Sequence, residues 1–160
     1  MAKIVERHRY KDKKIFQTRR LTFEPYRYSE ANMSLVMGLI RRNLSSDLLT
    51  PKYREENQIN PMYGHCYHST QALFYLMDTD LLVPMAGLDY RDDYHWWLQN
   101  GENVYDLTAE QYYSVGKIPP YHNGKKSKWY GYRQRPHQRS LDLMVRVLGD
   151  RLISDEALTP

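Results

Sequence analysis

Cysteine is almost missing from this chain: Cys66 is the only one among 160 residues. A single thiol excludes an intrachain disulfide and a structural zinc site built from several thiolates. Long apolar runs are missing too. Hydrophobic residues make up 41% of the chain, yet none of their runs approaches the ~18 residues of a membrane span. Residues 1–28 lack the apolar stretch and small-residue cleavage site of a signal peptide. There is no internal repeat and no low-complexity tract. The length suits one domain with a core of its own. These absences lead to the expectation of a soluble, cytoplasmic, single-domain protein with no membrane partner and no cofactor. Cys66 is then either a small buried hydrophobe or the chemical centre of the molecule.

The net charge of +4 is unevenly spread. Residues 1–28 hold nine cations against three acids, and residues 29–116 hold five against twelve. Residues 117–139 hold seven cations and no acid, and residues 140–160 two against four. The 117–139 segment also interleaves Tyr121, Trp129, Tyr130 and Tyr132 with its cations. Rings among cations suit single-stranded nucleic acid. They equally suit a solvated loop that packs its rings on the domain.

Local patterns divide the chain. Residues 1–28 alternate loosely through Ile4, Val5, Tyr10, Ile15, Phe16, Leu21, Phe23 and Tyr26, and read as a basic N-terminal arm with one or two short strands. Ser29 reads as an N-cap. Met33, Val36, Met37, Ile40 and Leu44 behind it predict an amphipathic helix over 30–45. Pro51 reads as a boundary, and 51–64 as loop. Gly64 gives freedom for a tight approach to a second helix, from Cys66 to about Met77. Leu81–Met85 reads as a short strand interrupted by Pro84. Asn100-Gly101, between aromatic and β-branched residues, predicts a hairpin over 93–108. Thr108 and Gln111 match a capping box for a short helix over 109–114. Residues 115–139 read as mostly loop, and Ser140 as the start of a last helix with Leu141, Met144, Val145, Leu148 and Leu152 on one face. The expected domain runs over 29–154, with a frayed tail at 155–160.

The hairpin register carries the chemistry. With Asn100 and Gly101 as a two-residue loop, Trp97 opposes Val104 and His95 opposes Asp106. Directly opposed side chains on one face lie ~4.5–5.5 Å apart. A carboxylate there orients the imidazole and stabilises its cation. Cys66 stands at a predicted helix N-terminus, where free N–H groups and the macrodipole favour a thiolate. The chain thus offers nucleophile, base and orienter as Cys66, His95 and Asp106. A catalytic zinc site from His65, Cys66, His68 and His95 is the competing arrangement. Adjacent His65 and Cys66 would point to different faces of the helix start, so no metal is expected. Trp96 and Trp97 face opposite sides of their strand. One belongs to the core; the other, taken as Trp97, is expected to wall a cleft together with Trp129 and Tyr130.

Asn60-Pro61-Met62-Tyr63-Gly64-His65-Cys66, His95-Trp96-Trp97 and Asp106-Leu107-Thr108-Ala109-Glu110-Gln111-Tyr112 resemble the YunG-like family of small bacterial and phage proteins. The match covers roughly 60–112, with a weaker echo at Tyr130-Gly131-Tyr132…Arg135-Pro136. His65 stands where that family often has Gln. The arrangement is also similar to the wider papain-like and NlpC/P60-like thiol hydrolases. The resemblance implies an α+β, papain-like fold with N-terminal helices packed on a small antiparallel sheet. It implies Cys66 as nucleophile, His95 as base and acid, and Asp106 as orienter. Asn60, six residues before Cys66, is implied as an oxyanion-hole donor. The expected function is a cysteine hydrolase or acyl-transferase acting on a peptide or small amide, acidic or nucleotide-bearing if the basic segment faces it. The alternative is a non-enzymatic nucleic-acid-binding or protein-interaction module that uses 117–139 and keeps a vestigial triad.

Overall fold

The computed structural model describes residues 3–4, 19–130 and 136–157. The expected alternation over Val5, Tyr10, Ile15 and Phe16, the ring of Tyr132 and the Gly131…Arg135 part of the resemblance lie outside those residues. The architecture is mixed α+β, with helices packed on small sheets.

Ser29 caps the first helix, α1 (Glu30–Arg42), by accepting from Asn32 N–H at 3.1 Å. Glu30 in its first turn and Arg41 and Arg42 in its last complement the helix dipole. Met33, Val36 and Ile40 form its buried stripe. The next segment corrects the sequence reading: residues 51–59 are helical (α2, Pro51–Ile59), with Pro51 in the first turn. A proline there loses nothing, because its missing N–H would have had no partner inside the helix. Helix α3 (Cys66–Leu76) is buried from His68 to its end. It packs on α1 and α5 (Gln138–Leu148) and on the strand that carries His95. The cap of α5 is His137, whose ring accepts from Arg139 N–H at 3.1 Å. The helix thus begins at Gln138, ahead of the expected start at Ser140, which is buried and donates to Gln71 Oε1 at 2.7 Å.

The N-terminal stretch is not an arm beyond residue 18. Strand β1 (Lys3–Ile4) pairs with β2 (Arg19–Phe23), and β2 pairs with β9 (Leu152–Ala157), both antiparallel. Strand β3 (Tyr26–Arg27) lies parallel to β4 (Met77–Asp78). Leu21, Phe23 and Tyr26 join the core cluster around α3. Residues 155–157, expected to fray, complete the strand that covers β2.

The site rests on a four-stranded antiparallel sheet in the order β7 (Asn103–Tyr105), β6 (Tyr94–Asn100), β5 (Val83–Leu88), β8 (Lys125–Lys126). The hairpin forms, but two residues out of the expected register. Gln99 faces Val104 and Asn100 faces Asn103, so Gly101 and Glu102 make the turn. Gly101 has φ +60° and Glu102 is not in the positive-φ region. A turn with positive φ only at its first central residue is the II′ pattern, which places glycine first. A shift of two keeps every side chain on its face. Helix α1 holds the hairpin at two points: Tyr105 O–H donates to Glu30 Oε1 at 2.6 Å, and Arg41 Nε donates to the Leu107 carbonyl at 2.9 Å.

Phe23 separates an arm from a strand of the core. It is 2% exposed, so Phe23→Ala is expected to cost about 3–5 kcal/mol, as for a large core ring. Urea unfolding of the full chain measures this, and a loss below about 1 kcal/mol would place residues 19–28 outside the cooperative unit.

Candidate active site

Gly64 has φ +85°, and the chain turns there into α3. This places Cys66 at the first helical position, half-exposed on the wall of a cleft of about 510 Å³. The N–H groups of a helix's first turn have no partner inside the helix. The Cys66 thiol leans on the Tyr94 carbonyl at 3.9 Å.

His95 is fully buried beside it, on β6. Its Nε2–H donates to Asp106 Oδ2 at 2.7 Å. The ring stacks on Trp97 (centroids 5.8 Å, 30°) and meets Tyr112 edge to face at 4.8 Å. Its Nδ1 is buried without a well-aligned hydrogen bond among the described residues. The Cys66 thiol is close enough to raise the ring's affinity for a proton. The two groups are in range but not aligned, a common ground-state geometry for catalytic pairs without substrate. Burial works against a charged ring here. The hydrogen bond to Asp106, the nearby Cys66 thiol and the charges of both outweigh it, and the pKa rises to about 9.

Asp106 lies just past β7 and is 8% exposed. Oδ2 accepts from His95 and from Tyr121 O–H at 2.8 Å, and Oδ1 accepts from Thr108 N–H at 3.1 Å. Arg41 Nη2 donates to its carbonyl at 3.2 Å. In the shifted register Asp106 falls diagonal to His95 rather than opposite it. A diagonal pair is within reach of an imidazole and a carboxylate. Cys66, His95 and Asp106 are thus brought together as the sequence expected, by a different register.

Asn60 is not brought to the thiol. Its Nδ2 donates to the Gln111 carbonyl at 2.8 Å, and it ties the loop before α3 to α4 (Glu110–Tyr113). The expected walls also change. Trp97 is 0% exposed behind His95, and Trp129 is packed against Phe74 and Trp96 in the core. Trp96 lines the cleft in place of Trp97, together with Tyr130 and Tyr67. Tyr67 stacks on Tyr130 at 4.9 Å and accepts from its N–H. Sequence reasoning missed Tyr121, Tyr112 and Arg41, whose roles depend on contacts between distant segments. The expected capping box does not form: Ala109 is the N-cap of α4 with no side-chain cap, and Gln111 Nε2 bonds the Thr108 hydroxyl instead, at 2.9 Å.

A second histidine pair lies beneath the cleft. His65 Nδ1 and His68 Nε2 share a hydrogen bond of 2.7 Å, and both rings are buried. Burial lowers the His65 pKa to about 4, and burial with the neighbouring His65 lowers that of His68. The competing metal arrangement does not assemble: His65 and His68 bind each other while His95 binds Asp106. Among the described residues no group of three or more His, Cys, Asp or Glu side chains is placed to hold a metal. No helix among them is long and apolar enough to cross a membrane. Compared with protein-family models, curated proteins and solved structures, the chain has no match.

The histidines fix the pH range of stability. The unfolded imidazole titrates near 6.5. His65 and His68 bind protons less well when folded, so their share of stability is present above pH 6.5 and is lost as pH falls toward 4. His95 binds its proton better when folded, so its share is present below pH 6.5 and is lost as pH rises through about 9. Urea midpoints should peak between these limbs, and Asp106→Asn should flatten the alkaline one. An alkaline limb that survives Asp106→Asn unchanged would rule out this assignment.

Proposed function

We propose that the protein is a cysteine-dependent hydrolase or acyl-transferase of papain-like design, acting on an amide or related acyl bond. One observation carries the reading. The buried His95 ring is fixed at Nε2 by Asp106 and held between Trp97 and Tyr112, while its Nδ1 side is left to a half-exposed thiol at a helix N-terminus. A structural His–Asp pair needs no thiol there and no open cleft. Resemblance to the YunG-like family points the same way.

In the first half-reaction Cys66 Sγ, as a thiolate paired with protonated His95, attacks the carbonyl carbon. The oxyanion is stabilised by first-turn N–H groups of α3, an effect worth about 3 kcal/mol per donor. The C–N bond then breaks. Its electron pair leaves with the amine, which takes the proton from His95, and a thioester on Sγ remains. In the second half-reaction, water or an amine gives a proton to His95 and attacks the thioester. The acyl product departs as Sγ leaves with the electron pair of the C–S bond, and the thiolate beside protonated His95 is restored. Asp106 remains ionised throughout and stabilises the imidazolium.

The nucleic-acid alternative has less to draw on. Of the rings in the basic segment, Tyr121 is bonded to Asp106 and Trp129 is buried, which leaves Tyr130 exposed among the described residues.

Alkylation by iodoacetamide at neutral pH tests the reading. Cys66 should be labelled in the native protein, and His95→Ala should slow labelling about tenfold or more, since no imidazolium then stabilises the thiolate. Asp106→Asn should slow it less. Labelling at the same rate in native protein and His95→Ala would refute the dyad.

A further inference from the structure

Among the described residues, five ionisable side chains besides Cys66 and the tyrosines line the cleft: His68, Asp89, Asp93, His137 and Arg139. Three of them are already engaged. Asp89 accepts from Tyr112 O–H at one oxygen and from Arg91 and Asp93 N–H at the other. His68 is bonded to His65, and burial disfavours its charged form. His137 caps α5, and burial lowers its pKa as well.

Asp93 and Arg139 remain, one anion and one cation, and neither side chain has a hydrogen-bond or ion-pair partner among the described residues. The nearest candidate to neutralise Asp93 is directed elsewhere: Arg91 is paired with Glu56 at 2.8 Å and lies over the Tyr63 and Tyr90 rings. The two free charges stand on different walls. Asp93 is on the turn between β5 and β6, beside the Tyr94 carbonyl that the thiol leans on. Arg139 is in the first turn of α5. Helix α3, with Cys66 at its start, packs on both β6 and α5, and Cys66, Asp93 and Arg139 line the same cleft. The Trp96, Tyr67 and Tyr130 rings supply apolar walls that can cover an amide and its side chains. A cleft of about 510 Å³ is in the range that encloses a small-molecule ligand.

We infer that the cleft takes a short zwitterionic peptide, with its ammonium end at Asp93 and its carboxylate end at Arg139, across the bond presented to Cys66. This inference rests on the thiol–imidazole reading and narrows it. Among the described residues the lining holds no lysine, so a polyanionic substrate would meet one free cation and one free anion among them.

Protection of Cys66 from iodoacetamide tests it without requiring turnover. Four pools of random tripeptides serve as probes: both ends free, N-acetylated, C-amidated, and blocked at both ends. The free pool should protect best. Each single block should weaken protection by up to about fivefold, the ceiling for a partly exposed ion pair. Asp93→Asn should abolish the difference between free and N-acetylated pools only, and Arg139→Gln the difference between free and C-amidated pools only. Equal protection by the doubly blocked pool, protection by none of the pools, or preferences unmoved by either variant would overturn the inference. The alkylation rate without peptide, compared between native protein and His95→Ala, reports on the thiol–imidazole reading separately.

Discussion

A buried carboxylate sets the terms for the rest of this structure. Asp106 is almost out of water, and an ionised carboxylate can stay there only if its oxygens are supplied with donors. Three arrive from three directions: the His95 ring from β6, the Tyr121 hydroxyl from the segment before β8, and the Thr108 N–H from the turn that leads into α4. Each bond also fixes the group that makes it. His95 gains a single ring orientation. Tyr121 is held at 5.1 Å against Trp97, which stacks on the imidazole ring. The turn at Thr108 starts the helix that brings Tyr112 to the other side of the ring.

The helices answer to the same demand. One turn of α1 supplies Glu30 to the hairpin and another supplies Arg41 to the Leu107 and Asp106 carbonyls, so the backbone under the carboxylate is held from both ends of one rigid rod. Helix α3 contributes the thiol at its start and an almost wholly buried body behind it. Such a helix cannot tilt without disturbing the core it shares with α1, α5 and β6. Gln71, on the same helix, accepts from His137 N–H and the Ser140 hydroxyl, and this seats the start of α5 beside the cleft. The position of Cys66 relative to His95 is therefore a property of packing and not of a loop.

What was legible in the sequence was what depends on neighbours in the chain. The Ser29 cap, the stripe of α1, the thiol at a helix start and the hairpin all follow from short-range pattern. The hairpin register was read two residues short, because Asn-Gly was placed at the centre of the turn when the glycine opens it. The face survived the error, since parity did. Helix α2 was missed because Pro51 was read as a stop when it stands where helices begin. Short strands were expected within 1–28, but the pairing of β2 and the whole of β9 were missed, because each is half of a pair whose other half lies at the opposite end of the chain. Asn60 was assigned by resemblance, through its spacing before Cys66, and neither can see the Gln111 carbonyl that claims its amide. Trp96 and Trp97 were known to face apart, but nothing local said which side the cleft would be on.

The placement of the tryptophans has an optical consequence. The chain has three, and all are buried around this one site: Trp97 against the His95 ring, and Trp96 stacked on Trp129 at 5.4 Å behind the cleft wall. An imidazolium in contact with an indole quenches its emission, whereas a neutral imidazole does so weakly. The intrinsic fluorescence of the protein is therefore not a diffuse signal of folding. It is a local gauge of the charge on His95 and of whatever lies against Trp96.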